Sequence, residues 1–273
     1  MLDVTHLSET KRRLLELRRL GSSRPSSILA AAKSRRKAET PARLSLAQEQ
    51  VWLREQQSVS SAPIYNESIT IHRDGFLDIT ALDESLREVI RRNEIWRTTF
   101  EEINGQPVQI VHRSPAIPRL QVVDVSTFPE AEREAEAIRV AAAQANPPFN
   151  LRQGPLVRAV LVKLGDQAHR LFLTMHQLVV DGLTVYSLFP SELITIYEAY
   201  AAGKPSPLPP PTIQYADFGE WQRLLLAGDL QRSQLAYWRE KLSGELPILP
   251  WPKTRPPCET FRGVIYPFSL PKD

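Results

Sequence analysis

A chain of 273 residues, 42% hydrophobic and 24% charged, is long enough for one large core or two small ones and has the composition of an ordinary soluble globular protein. Its only cysteine, Cys258, excludes a disulfide framework or a cysteine-based zinc site within the chain, and no apolar run approaches the roughly 20 residues of a membrane span. The net charge of +3 is uneven, because residues 1–43 hold eleven Lys and Arg against four Asp and Glu, which leaves the rest mildly acidic. That basic leader has no aromatic residue to stack on bases, so no nucleic-acid partner is expected. No apolar h-region follows its start, so no signal peptide is expected and the expected location is the cytoplasm.

In chain order, Ser8 is a candidate N-cap, Leu14 and Leu17 share a helical face, and a Ser-Pro linker follows Gly21. Residues 1–43 thus read as a helical leader and linker, either a solvated arm or a docking segment. In the body, Leu46, Gln50 and Leu53 share one helical face with Trp52 beside them. Tyr65–His72 alternates as a strand, and after Asp74-Gly75 the spacing of Leu82, Leu86, Val89 and Ile90 predicts a helix over 78–92. Ile95–Phe100 and Pro107–His112 read as strands around the hairpin turn Asn104-Gly105. Leu120–Val125 reads as a strand and Pro129–Ala145 as an alanine-rich helix. Leu156–Leu164 and Arg170–Met175 read as a hairpin about Gly165-Asp166. Residues 183–202 predict a helix that Pro190, lacking an N–H, kinks or splits in its first turns. Helices over 215–227 and 230–242 follow a proline-rich connection, and 260–270 reads as a strand. Strands and helices alternate, so the class is α/β.

The segment RLFLTMHQLVVDGLTV is the best candidate for chemistry. An apolar strand ends at His176, and Asp181-Gly182 leads into a helix whose N–H groups point back, an arrangement that can hold a histidine and orient a substrate. A lone histidine between apolar residues is also a common structural feature. Asp181 suits a helix cap or a buried arginine partner equally.

Four stretches in order resemble the condensation domain of nonribosomal peptide synthetases. They are SLAQEQVWLREQ (45–56), RRNEIWRTTF (91–100), MHQLVVDGLTVYS (175–187) and YADFGEWQR (215–223). The resemblance implies a chloramphenicol acetyltransferase-like fold, a two-layer α/β sandwich, of which residues 44–250 are the N-terminal, donor-side lobe. Residues 251–273 would be the crossover and the first strand of a truncated second lobe. It also implies an acyltransferase that joins an acyl group to an amine, both carried as phosphopantetheine thioesters on acyl or peptidyl carrier proteins. The domain itself is expected to hold neither metal nor cofactor.

In the family's H-H-x-x-x-D-G motif the first histidine lies five residues before the aspartate and is mainly structural. The second positions or deprotonates the amine. His176 lies five before Asp181, so it matches the first, and Gln177 stands in place of the second. An amide hydrogen-bonds an amine but accepts no proton near neutral pH. Asn93 and Trp96 depart from the second motif, while Arg97 is retained and is expected to support the site by pairing with Asp181. The expectation is an impaired condensation-type protein. The alternatives are a non-catalytic carrier-binding or recruitment module, and an acyltransferase half completed by a second polypeptide or by self-association.

Overall fold

The computed structural model describes residues 40–57, 63–113, 119–227, 229–248, 250, 264 and 266–269. The expected leader helix and linker before residue 40 lie outside the described residues, as does most of 251–273. Of the strand expected over 260–270, only Val264 and residues 266–269 are described, and these carry no strand; the rest lies outside the described residues.

A four-stranded sheet positions the candidate site. It is built from β2 (Asn66–Asp74), β5 (Gln121–Asp124), β6 (Val157–Gly165) and β7 (Ala168–His176) in the order β2-β7-β6-β5. β7 pairs antiparallel with β2 along its whole length, from Asn66 opposite His176 to Asp74 opposite Ala168. On its other side β7 pairs antiparallel with β6, and β5 joins parallel to β6 through a helical crossover, α3 (Glu130–Ala145). β7 therefore lies inside the sheet, and because helices cover both faces there, LFLTM is buried throughout rather than alternating. A smaller sheet joins β1 (Ala42–Arg43), β4 (Gln106–Val111) and β3 (Thr98–Ile103) in the order β1-β4-β3. The β3–β4 turn has φ of 52° at Asn104 and 76° at Gly105, the left-handed pair that an Asn-Gly hairpin turn requires.

Helices cover both faces of the large sheet. On one face α2 (Ile79–Arg92) and α4 (Phe189–Ala201) press Leu82, Leu86, Val89, Leu193 and Ile196 onto Leu161, Leu171, Leu173 and Met175. Each such side chain contributes roughly 1.5–3 kcal/mol by leaving water. On the other face α3 places Ala137 against Val160, Val162 and Phe172. Asp78 caps α2, its carboxylate accepting from the Ala81 N–H at 2.9 Å while its own N–H donates to the Tyr197 hydroxyl at 3.0 Å, so one residue starts α2 and ties it to α4. Helix α1 (Leu46–Gln57) buries Gln48 and Trp52, whereas Leu46 and Leu53 are exposed. α5 (Tyr215–Leu225) and α6 (Asp229–Lys241) complete the described elements.

One local expectation is corrected and another is met. The strand expected from Ile95 begins only at Thr98, because Glu94–Arg97 form a 3-10 turn. The Trp96 N–H donates to the Asn93 carbonyl, and the indole turns into the core edge-on to Phe189. Pro190 splits the first turns of the helix expected over 183–202. The residues before it, Thr184–Leu188, form a π-helical turn in which the Phe189 N–H reaches back to the Thr184 carbonyl, and α4 then starts with proline in its first turn, where no N–H is needed.

Candidate active site

The end of β7 delivers His176 into a closed setting. Its backbone N–H donates to the Leu156 carbonyl, and the Gln177 N–H donates to the Tyr65 carbonyl at 2.9 Å, so the ladder continues one residue beyond the strand. The chain then turns, with the Val179 N–H donating to the His176 carbonyl. The imidazole is 1% exposed and lies between the rings of Tyr65 and Phe149, at centroid distances of 6.2 and 6.1 Å.

Both ring nitrogens are engaged. Nδ1 accepts the Leu178 N–H at 3.1 Å and therefore carries no proton. Nε2 lies 2.8 Å from Glu55 Oε2, so the ring proton sits on Nε2 and is donated to that carboxylate. A histidine fixed at both nitrogens and closed to solvent holds a turn in place and has no lone pair to offer a substrate.

Gln177 is different. It is partly exposed, and its side-chain amide makes no hydrogen bond to any described residue. Asp181 caps the following helix: its carboxylate accepts the Thr184 N–H at 2.8 Å and its carbonyl accepts the Val185 N–H at 3.0 Å. At Gly182 an added Cβ would meet nothing within 4 Å, so the glycine leaves bare backbone on the first turn of that helix.

The expected ion pair between Arg97 and Asp181 is not formed. Arg97 leaves the 3-10 turn toward β4, where Nη1 donates to the His112 carbonyl and Nη2 lies 3.6 Å from Glu94 Oε1. The turn into Trp96 aims the next side chain away from β7, and the Asp181 carboxylate is already used as a cap. Arg97 instead lines a cavity of about 760 Å³ with Asp83, Leu86, Trp96, Phe149 and Arg158. Neither His176 nor residues 177–182 line this cavity, and Phe149 forms the wall between it and His176. Arg158 stacks on Phe149 at 3.8 Å and donates to the carbonyls of Gln144, Pro147 and Pro148. Burial draws its guanidinium below the ordinary value, yet it remains a cation.

The four stretches singled out in the sequence interlock. In the fourth, the Tyr215 hydroxyl meets Ser45 Oγ at 3.0 Å, Gln222 accepts the Leu46 N–H at 2.8 Å, and Arg223 pairs with Glu49. The first stretch, thus anchored, grips the third: Gln48 Nε2 donates to the Leu178 carbonyl at 3.0 Å and Glu55 holds His176. In the second, Asn93 bridges the Val89 carbonyl and Glu192, and Arg92 donates to the carbonyls of Leu208 and Pro209. Glu55 and Gln48 were not singled out in the sequence. Their one local signal is the spacing Gln48, Trp52, Glu55, which puts all three on one helical face. Among the described residues no group of three or more His, Cys, Asp or Glu could hold a metal ion, and no helix is long and apolar enough to cross a membrane.

Comparison with known proteins supplies the family. The condensation-domain model matches residues 38–273. The chain is 40% identical over 233 residues to one of the linear gramicidin synthase subunits of Brevibacillus parabrevis, covering 84% of this chain and 3% of that protein. It is 34% identical over 272 residues to phosphinothricin tripeptide synthetase PhsC of Streptomyces viridochromogenes, covering 99% of this chain and 25% of the relative. Among solved structures, the starter condensation domain of rhizomide synthetase RzmA superposes with a TM-score of 0.69 at 23% identity, over 81% of this chain and 48% of that one. The X-domain complexed with OxyB from teicoplanin biosynthesis superposes with a TM-score of 0.69 at 28% identity, over the same shares. The chain thus spans about half the length of these solved structures and a small part of the curated relatives. With its chloramphenicol acetyltransferase-like fold and its residues 38–273 matched, it belongs to the condensation-domain family of nonribosomal peptide synthetases.

Proposed function

We propose that residues 44–250 are the donor-side lobe of an amide-forming condensation domain, that its partners are carrier proteins bearing phosphopantetheine thioesters, and that Gln177 limits its chemistry. The reaction joins the nitrogen of one carrier-bound amine to the thioester carbonyl carbon of another. The C–S bond breaks, the pantetheine sulfur leaves and ends as a thiol, and the nitrogen loses one proton. The observation that carries the reading is the division of labour at the end of β7: the ring of His176 is closed off by two hydrogen bonds, while the side chain of Gln177 is partly exposed and unengaged. The Gln177 amide oxygen can accept a hydrogen bond from the attacking amine and orient it, but it cannot take the proton. Bare backbone at Gly182 leaves room for a thioester arm beside the helix start.

The test supplies donor and acceptor carriers loaded with acyl and aminoacyl groups and measures condensed product. This chain is expected to turn over slowly, and Gln177→His to gain on the order of 10²–10⁴-fold if the missing group is a general base. Rapid turnover by the unmodified chain, or no product from either form, overturns the reading.

A second reading is favoured by the likeness to the X-domain solved in complex with OxyB. On this reading the chain is a non-catalytic docking module whose partner is another biosynthetic protein. It predicts measurable affinity for a carrier or tailoring protein together with no product from Gln177→His.

A further inference from the structure

Glu55 sits near the end of α1, 121 residues before His176, and its hydrogen bond to that ring links α1 to the end of β7. We infer that Glu55 is a positioning residue: its carboxylate fixes His176 as the Nε2–H tautomer, and this sets the turn that presents residue 177. The inference rests on the condensation reading only for what residue 177 does. The tautomer and the turn stand on geometry alone.

Helix α1 grips the turn at two points on one face. Gln48 Nε2 donates to the Leu178 carbonyl at 3.0 Å, and two turns further along Glu55 accepts from His176 Nε2 at 2.8 Å. Gln48 is itself held, its Oε1 accepting the Ser45 N–H and its backbone N–H donating to Ser45 Oγ. The Leu178 residue is therefore bound at both ends, its carbonyl by Gln48 and its N–H by His176 Nδ1.

That second bond exists only while Nδ1 is unprotonated. With the proton on Nδ1, two N–H donors would face each other at 3.1 Å and a bare Nε2 lone pair would face a carboxylate, so both contacts would turn repulsive together. Glu55 and the Leu178 N–H thus select the same tautomer from opposite sides of the ring. The Glu55 side chain is 28% exposed, so the contact reaches the surface on its carboxylate side. The ring is closed off, and only the carboxylate reaches solvent.

The experiment reads the ring directly. The full chain is labelled with ¹⁵N-histidine, and imidazole ¹⁵N–¹H correlations are recorded at a pH where the rings are neutral. The His176 signals are assigned by their loss in His176→Asn. The wild type should show one protonated nitrogen, Nε2, and one unprotonated, Nδ1. Glu55→Ala should draw the two nitrogen shifts toward each other and speed exchange of the Leu178 amide by about tenfold or more, the factor expected for one lost charge-assisted hydrogen bond. Glu55→Gln, whose amide oxygen still accepts from Nε2–H, should restore the wild-type pattern.

A wild-type ring protonated on Nδ1 overturns the inference, and so does a Glu55→Ala chain with an unchanged tautomer and unchanged Leu178 exchange. If Glu55→Ala does not fold, the wild-type and Glu55→Gln spectra decide. Loss of the single-tautomer pattern in Glu55→Gln, with the fold intact, also counts against it. Absence of product from Gln177→His overturns the condensation reading alone, because the ring signals are read without substrate.

Discussion

Replacing His176 by alanine isolates what the ring does for the fold. The side chain is 1% exposed, so its removal strands the Leu178 N–H beneath the surface. An orphaned buried donor costs about 1–3 kcal/mol. The ring also loses its contacts with Tyr65 and Phe149, which are worth roughly another 0.5–1.5 kcal/mol. Glu55 adds little, because its part-exposed carboxylate returns to water. The sum is about 2–4 kcal/mol, which for a domain of this size lowers Tm by roughly 5–15 °C. His176→Asn separates the terms, since its side-chain oxygen falls near the place of Nδ1 and can accept the Leu178 N–H. It should recover about half of the loss. Thermal unfolding followed by circular dichroism measures both variants. A Tm for His176→Ala within about 2 °C of the wild type would refute the reasoning, as would an asparagine variant no more stable than the alanine one.

Other expectations follow from neighbouring contacts. Asp181→Ala removes the carboxylate that accepts the Thr184 N–H and should cost about 0.5–2 kcal/mol in urea unfolding, with no further loss when Arg97 is also replaced by methionine beyond the cost of that change alone. Asp83→Ala leaves the Leu120 N–H and Arg119 without the acceptor that ties α2 to the chain entering β5, and should cost about 1–3 kcal/mol by the same measurement. His169 is 2% exposed, and burial, with Lys163 and Arg73 adding to it, holds its imidazole below the ordinary 6.5. The unfolded chain therefore takes up a proton near 6.5 that the folded one refuses. Stability from this group is full above that pH and is lost as pH falls toward the folded value. His169→Phe should flatten the dependence of Tm on pH in that window, and an unchanged slope would show that another group sets it.

The elements that carry a strong local period were readable in advance. Leu82, Leu86 and Val89 at helical spacing behind Asp78 define α2 in the sequence as they do in space, and Asn104-Gly105 places its hairpin turn. The misses share a cause, which is that distant partners outweighed local preference. Ile95, Trp96 and Thr98 are good strand formers, but Asn93 caps α2 and the Glu94 N–H is held by Gln214, 120 residues away, so the chain coils before it extends. On α1 hydropathy points to Leu46 and Leu53, yet the buried polar residue is Gln48, whose amide is satisfied on both of its atoms by Ser45 and Leu178. A glutamine with all its partners supplied is invisible to any scale that counts apolar residues. Arg97 failed to meet Asp181 for the same reason, since the short coil before β3 decides the direction of its side chain.

The place of β7 in its sheet has a bearing on motion. A strand bonded on both edges cannot drift alone: displacing its last residue means opening the β2 ladder, the β6 ladder, or both. Such openings belong to the high end of the free-energy scale, close to that of global unfolding, and so are rare events. Amide exchange at Thr174–Gln177 should accordingly be among the slowest in the molecule. If the proposed reaction takes place beside residue 177, the amine meets a fixed post there, and whatever adjustment the encounter demands must come from the visitor.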